Sequence, residues 1–154
     1  MSFTLDVYYW GQGGQRNPAV ARSADELDRV LQDIGASEQP HSPVFVAQER
    51  PKWGRHQMDD HQVKIDVDTV RSLGAICFYG PHPEVPAGFE VAAWVSKTDA
   101  VLADAPTFYL DKATRTEFPA DAVIPLSLVH QALQEFRVTG ERPTCIDWQP
   151  SATW

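Results

Sequence analysis

Cys145, His130 and Asp147 are the residues of this chain whose types could combine as nucleophile, base and orienting carboxylate. On an alternating strand Cys145 and Asp147 face the same side, and His130 stands on a helix that could pack there. That set would suit a small hydrolase. The helix argues against it: Val129, Ala132, Leu133 and Phe136 fall at i, i+3, i+4 and i+7 and make its apolar face. His130 lies off that face, toward solvent or a neighbouring loop.

Two other chemistries are raised by residue type and set aside by spacing. His56 and His61 with Asp59 and Asp60 offer metal-ligand types, but this spacing does not align two histidines on a helix face, and no second cluster is nearby. Residues 48–60, which also hold Arg50, Lys52, Trp53 and Arg55, read instead as a solvated polar loop. Gly11, Gly13 and Gly14 follow a strand, as phosphate-binding glycines do, yet no Gly-Lys-Ser/Thr follows them and the next helix starts well downstream. The expectation is no catalytic residue, no metal and no cofactor.

The elements that would position these residues can be read in order. Residues 3–10 are rich in strand formers. Residues 23–35 form a helix with a capping box of Ser23 and Glu26, an apolar face of Leu27, Val30, Leu31 and Ile34, and Gly35 as its stop. Residues 44–47 are a buried strand; residues 62–68 alternate as a half-exposed antiparallel strand; residues 74–79 are nearly all apolar, as in a central strand. A stiff turn at residues 80–83 leads to its partner strand, residues 89–96. Residues 107–110 and 116–118 make a hairpin. The second helix lies between Pro125 and Gly140, a residue able to adopt the left-handed conformation that ends helices. Residues 144–148 form a last strand beside that helix, and the tail, residues 149–154, is frayed. Grouped strands with two principal helices predict an α+β fold, a single mainly antiparallel sheet with the helices packed on it, in one domain over residues 1–154.

Bulk properties bound the partner. Thirteen basic against 21 acidic residues give a net charge of −8, which repels nucleic acid and anionic membranes and favours a basic protein, although solubility alone would also account for it. Cys77 and Cys145 lie in apolar runs and read as free buried thiols. No charged N-region with an apolar run precedes Phe3, and no stretch is long and apolar enough to span a bilayer, so a cytoplasmic protein is expected.

The run Ile124-Pro125-Leu126, then Ala132-Leu133-Gln134-Glu135-Phe136, then Thr139-Gly140-Glu141-Arg142-Pro143-Thr144-Cys145-Ile146-Asp147-Trp148 resembles the C-terminal signature of the first-numbered immunity protein family of bacterial polymorphic toxin systems. The upstream order of elements, with Trp94, Val95 and Ser96, is similar to that of actinobacterial members. The resemblance implies a non-catalytic antidote, made beside a toxin gene, that binds and neutralises a cognate toxin, often one with a nucleic-acid deaminase domain. It carries over Gly140, Pro143 and Trp148 as structural residues: helix stop, rigid turn and core or capping aromatic.

Composition, not the resemblance, suggests where the toxin binds. Between Gly80 and Asp111 the acids Glu84, Glu90, Asp99, Asp104 and Asp111 face a single base, Lys97. Asp99, Asp104 and Asp111 are therefore assigned to steering a basic toxin, and Trp94 to contact area, unless a loop or helix covers it. A monomer or weak homo-oligomer is expected. The rival readings are the Cys145/His130 hydrolase and a structural subunit that binds an unrelated protein.

Overall fold

A computed structural model describes residues 2–11, 17–53, 55–81 and 91–153. In chain order the elements are β1 (Leu5–Tyr8), β2 (Ala19–Ala21), α1 (Ala24–Ala36), β3 (Val44–Ala47), β4 (Lys52–Trp53), β5 (Met58–Asp59), β6 (Gln62–Asp68), β7 (Leu73–Pro81) and β8 (Val91–Lys97). There follow β9 (Tyr109–Asp111), β10 (Thr116–Glu117), a 3₁₀ turn (Ala120–Ala122), β11 (Ile124–Pro125), α2 (Leu126–Thr139) and β12 (Asp147–Ser151). The main sheet runs β12-β8-β7-β6-β3-β1-β2, every pair antiparallel, with β11 added against β7. The fold is α+β, as the grouping of strands predicts.

Both helices cover one face. Leu27, Val30, Leu31 and Ile34 of α1 and Val129, Ala132, Leu133 and Phe136 of α2 join Leu5, Val7, Phe45, Val63, Ile65, Ile76, Phe78 and Trp94 in one core. On the other face Ala75, Cys77, Ala93 and Val95 pack under Phe108, Leu110, Phe118, Ala122 and Val123. β7 is apolar throughout because it is buried on both faces at the centre of the sheet. Asp66, on the polar face of β6, is buried too: it accepts a bond from Tyr109 N (2.8 Å) and pairs with Lys112 (3.3 Å), so that end of the strand is covered by the β9–β10 hairpin.

The register sets two rows across the half of this second face nearest β1. One reads Tyr8–Val44–Lys64–Cys77; the other reads Val20–Asp6–Val46–Gln62. The Cys77 end lies in the second core. Toward β1 burial lessens: Val46 is still buried, Val44 and Val20 are half-buried and Tyr8 is exposed.

Several expectations need correction. Gly35 does not stop the first helix, which runs to Ala36 with Ser37 as cap. A methyl group at Gly35 would lie 2.7 Å from Thr69 Cγ2, so glycine is needed there for close approach rather than termination. Residues 48–60 are no plain loop, because β4 and β5 form a small hairpin with Lys52 paired to Asp59. The tail is not frayed: Gln149 to Ser151 pair with Val95 to Ala93 at the edge of the sheet. The last strand therefore sits against β8, while α2 packs over β7. The short edge strand β2 had no signal in the alternation. His82, Pro83, Glu84, Phe89 and Glu90, together with Gly13, Gly14 and Trp154, lie outside the described residues.

Candidate functional site

The three residues that could form a nucleophilic set are engaged elsewhere. His130 is half-buried near Asp28 of α1, not by a loop; burial lowers its pKa while the Asp28 charge partly opposes this. Cys145 sits by Glu135, and burial, reinforced by that carboxylate, raises its pKa, which disfavours the thiolate a nucleophile requires. Asp147 is exposed at the sheet edge. Cys77 is free and buried, its thiol pushed up to about 12 by desolvation, and Cys145 is free as well.

The would-be metal ligands separate in a similar way. His56 is exposed, Asp59 is bound to Lys52, and Asp60 and His61 enter a buried charged network. His61 Nδ1 lies 2.8 Å from Asp60 Oδ1, and its Nε2 lies 2.9 Å from Glu141 Oε2. Both contacts are hydrogen bonds only when each ring nitrogen carries a proton. Arg50 closes the ring, reaching Asp60 Oδ2 at 3.2 Å and Glu141 Oε1 at 3.0 Å. Its Nε is 3.2 Å from His61 Nδ1 and 3.4 Å from Asp60 Oδ1; with Nδ1 protonated, the carboxylate is the acceptor. The His61 ring meets Phe78 edge-on at 5.5 Å. Among the described residues no group of three or more His, Cys, Asp or Glu side chains is arranged to hold a metal ion.

Besides the Glu141 carboxylate, which joins this network, the C-terminal motif is held by its own local bonds. Gly140 takes the left-handed conformation (φ 66°) and caps α2, its N–H donating to Phe136 O at 2.7 Å. Glu141 N donates to Thr139 Oγ1 (3.1 Å), and the Thr144 N–H and hydroxyl both donate to the Glu135 carboxylate. The Trp148 Nε1–H donates to Pro143 O (2.7 Å), folding the turn back on the strand that follows it. The guanidinium of Arg142 lies over the Trp94 ring, 4.8 Å from its centroid.

Trp94 is therefore not an exposed anchor. It is 8% exposed and packs against Phe78, so the covered alternative is the one found. Asp99 and Asp104 are exposed on the long connection from β8 to β9, with Val101 and Leu102 exposed between them. Asp111 is half-buried and caps a turn: its Oδ1 accepts from Ala113 N (2.8 Å) and Thr114 N (3.3 Å), bonds that hold its pKa down. The Arg50–Asp60–His61–Glu141 network escaped the sequence reading because its members are separated by up to 91 residues.

Taken together, fold and site define an α+β protein with two helices on a mainly antiparallel sheet, whose C-terminal turn is tied through Glu141 to a partly buried polar network. No helix among the described residues is long and apolar enough to cross a membrane. The chain belongs to the Imm1 family: the family model described as Immunity protein Imm1 matches residues 15–150. Membership implies a toxin-neutralising immunity function and a toxin as partner. None of the curated proteins compared with the chain matches it.

Proposed function

We propose that this chain is a non-catalytic, cytoplasmic bacterial immunity protein. It acts as one domain and as a monomer or weak homo-oligomer. It neutralises a cognate polymorphic toxin that works on nucleic acid, such as a deaminase, by covering the toxin's active-site cleft. The observation that carries this reading is the family match across residues 15–150. Charge supports it: a toxin that handles nucleic acid has a cationic cleft, and a protein of net charge −8 is drawn to such a cleft in place of phosphate. Asp99 and Asp104, exposed on one connection, are assigned to steering, while Asp111 contributes to the same field from its turn. Trp94, Gly140, Pro143 and Trp148 act by holding the scaffold. The test is co-expression with the toxin domain encoded by the adjoining gene. Cells should survive with the wild-type chain and equally with a Cys145→Ala, His130→Ala double variant; loss of protection in that variant alone would revive the hydrolase.

A further inference from the structure

We infer that the half of the sheet face opposite the helices that lies nearest β1, where among the described residues Tyr8 and Trp10 are exposed, is a docking surface for an arginine- or lysine-bearing segment of the toxin. This rests on the immunity reading and names the surface that would serve it. Leu5 and Val7 of β1 face the helices in their core, as does Tyr9 just beyond it, with its hydroxyl donating to Asp33 (2.7 Å), so Tyr8 faces the other way; Trp10 follows just past the end of the strand. Tyr8 is 45% exposed and Trp10 62% exposed, each large for an aromatic.

Trp10 is held while its ring is offered. Its N–H donates to Gln39 Oε1 (2.9 Å), and Gln39 Nε2 donates back to its carbonyl (2.8 Å). Gln39 is itself buried and also bonds Ile34 O at the end of α1 (3.1 Å). Two backbone bonds from a buried side chain fix the main chain at a position whose indole is mostly in water. Neither bond uses the indole, so burying an enforced Trp10 costs interface area little in backbone ordering, as in binding hot spots.

The chemistry of the surface selects a cation. Asp6 stands in the same face, between Val20 and Val46, while Lys64, the cation of the neighbouring row, lies half-buried farther in, between Val44 and Cys77. The Asp6 carboxylate accepts from Gln48 Nε2 (2.7 Å), and among the described residues it forms no ion pair. Tyr8 beside the Asp6 carboxylate, with the exposed Trp10 just past the strand end, attracts a guanidinium or ammonium by cation–π and charge interactions, over the apolar ground of Val20 and Val44. The net charge of −8 adds to that attraction and opposes a nucleic-acid strand, which would otherwise also stack on Trp10.

The experiment measures the Kd of the full chain for the purified toxin domain encoded by the adjoining gene. Trp10→Ala should weaken binding by about 30-fold or more and Tyr8→Ala by about 10-fold. Val138→Ala, at an exposed position on α2, serves as control and should change Kd by less than about 2-fold. Unfolding curves verify that the variants fold; should Trp10→Ala not fold, Tyr8→Lys, which reverses the complementarity, must abolish binding in its place. Tight binding by folded Trp10→Ala and Tyr8→Lys alike overturns the docking surface and leaves the immunity reading standing. No binding by the wild-type chain removes both. Light scattering that shows a wild-type dimer made monomeric by Trp10→Ala assigns the surface to a second copy and overturns the inference.

Discussion

Glu141 reaches back to His61: its Oε2 lies 2.9 Å from the Nε2 of a ring only 3% exposed, across 80 residues of sequence. The first residue after the helix cap thus supplies the partner of His61 Nε2, while Asp60 and Arg50 meet the other side of the ring. Glu141→Ala removes the acceptor for a buried N–H and should destabilise the fold by about 2 kcal/mol. Glu141→Gln, which keeps an acceptor oxygen, should recover most of that. Urea unfolding checks both, and a loss below about 0.5 kcal/mol for the alanine variant would make the network incidental.

Gly140 combines a positive φ of 66° with a crowded Cβ position: a methyl group there would lie 2.6 Å from the Phe3 ring. Gly140→Ala should cost more than about 2 kcal/mol, of which about 1 kcal/mol is backbone strain. Adding Phe3→Leu should restore the packing share and not the strain. Full stability of the single variant in a thermal melt would refute this account.

Trp148 is half-buried, its ring 6.3 Å from Phe78 and its indole N–H bonded to Pro143. Trp148→Ala should lose about 3 kcal/mol, whereas Trp148→Phe, which keeps an aromatic against Phe78, should lose about 1 kcal/mol. Chemical denaturation of the pair separates stacking from the hydrogen bond; equal losses would put all the effect on the bond.

His130 predicts a dependence on pH. Burial depresses its pKa below the ordinary 6.5, so the unfolded chain binds the extra proton first and unfolding becomes easier as acid is added. The stability linked to the neutral ring is present above 6.5 and is lost as pH falls through the lower, folded value. Stability measured between about pH 7.5 and 5.5 should fall more for the wild type than for His130→Gln. Parallel curves would show that His130 is not the titrating group.

Asp99 and Asp104 are exposed and act, in the proposed function, through the long-range field. Asp99→Asn with Asp104→Asn should slow association with the toxin and flatten its salt dependence, with little change in the dissociation rate. Stopped-flow mixing at low and physiological salt reads this directly. An effect confined to dissociation would make these residues contacts instead.

Local periodicity carried a large part of the fold. The apolar stripes of α1 and α2, the capping pair Ser23 and Glu26, the left-handed stop at Gly140 and the continuous apolar run of β7 are each set by neighbours within a few residues, where spacing alone decides the geometry. Gly35 misled for the same reason: a glycine near a helix end resembles a stop, and only Thr69, brought up from another part of the chain, shows why the residue must be small.

The candidate site was legible in type and not in place. The acidic balance and the polar character of the connection that carries Asp99 and Asp104 follow from composition and short-range pattern. Strand alternation placed Trp94 on one face of β8 but could not say that Arg142 and Phe78 would close over it. The strand formers of residues 3–10 likewise marked β1, but only the packing of the second core showed that it covers the Cys77 side of that face, leaving Tyr8 exposed. The two helices, the long strands and the net charge were readable before any contact was known, because helices and long strands follow from neighbouring residues and charge from composition; the short strands β2, β4 and β5 were not. Packing alone fixed which polar groups meet, the buried His61 with the half-buried Arg50 and the exposed Glu141, because that depends on contacts between segments far apart in the chain, and no local pattern encodes which distant partner will arrive.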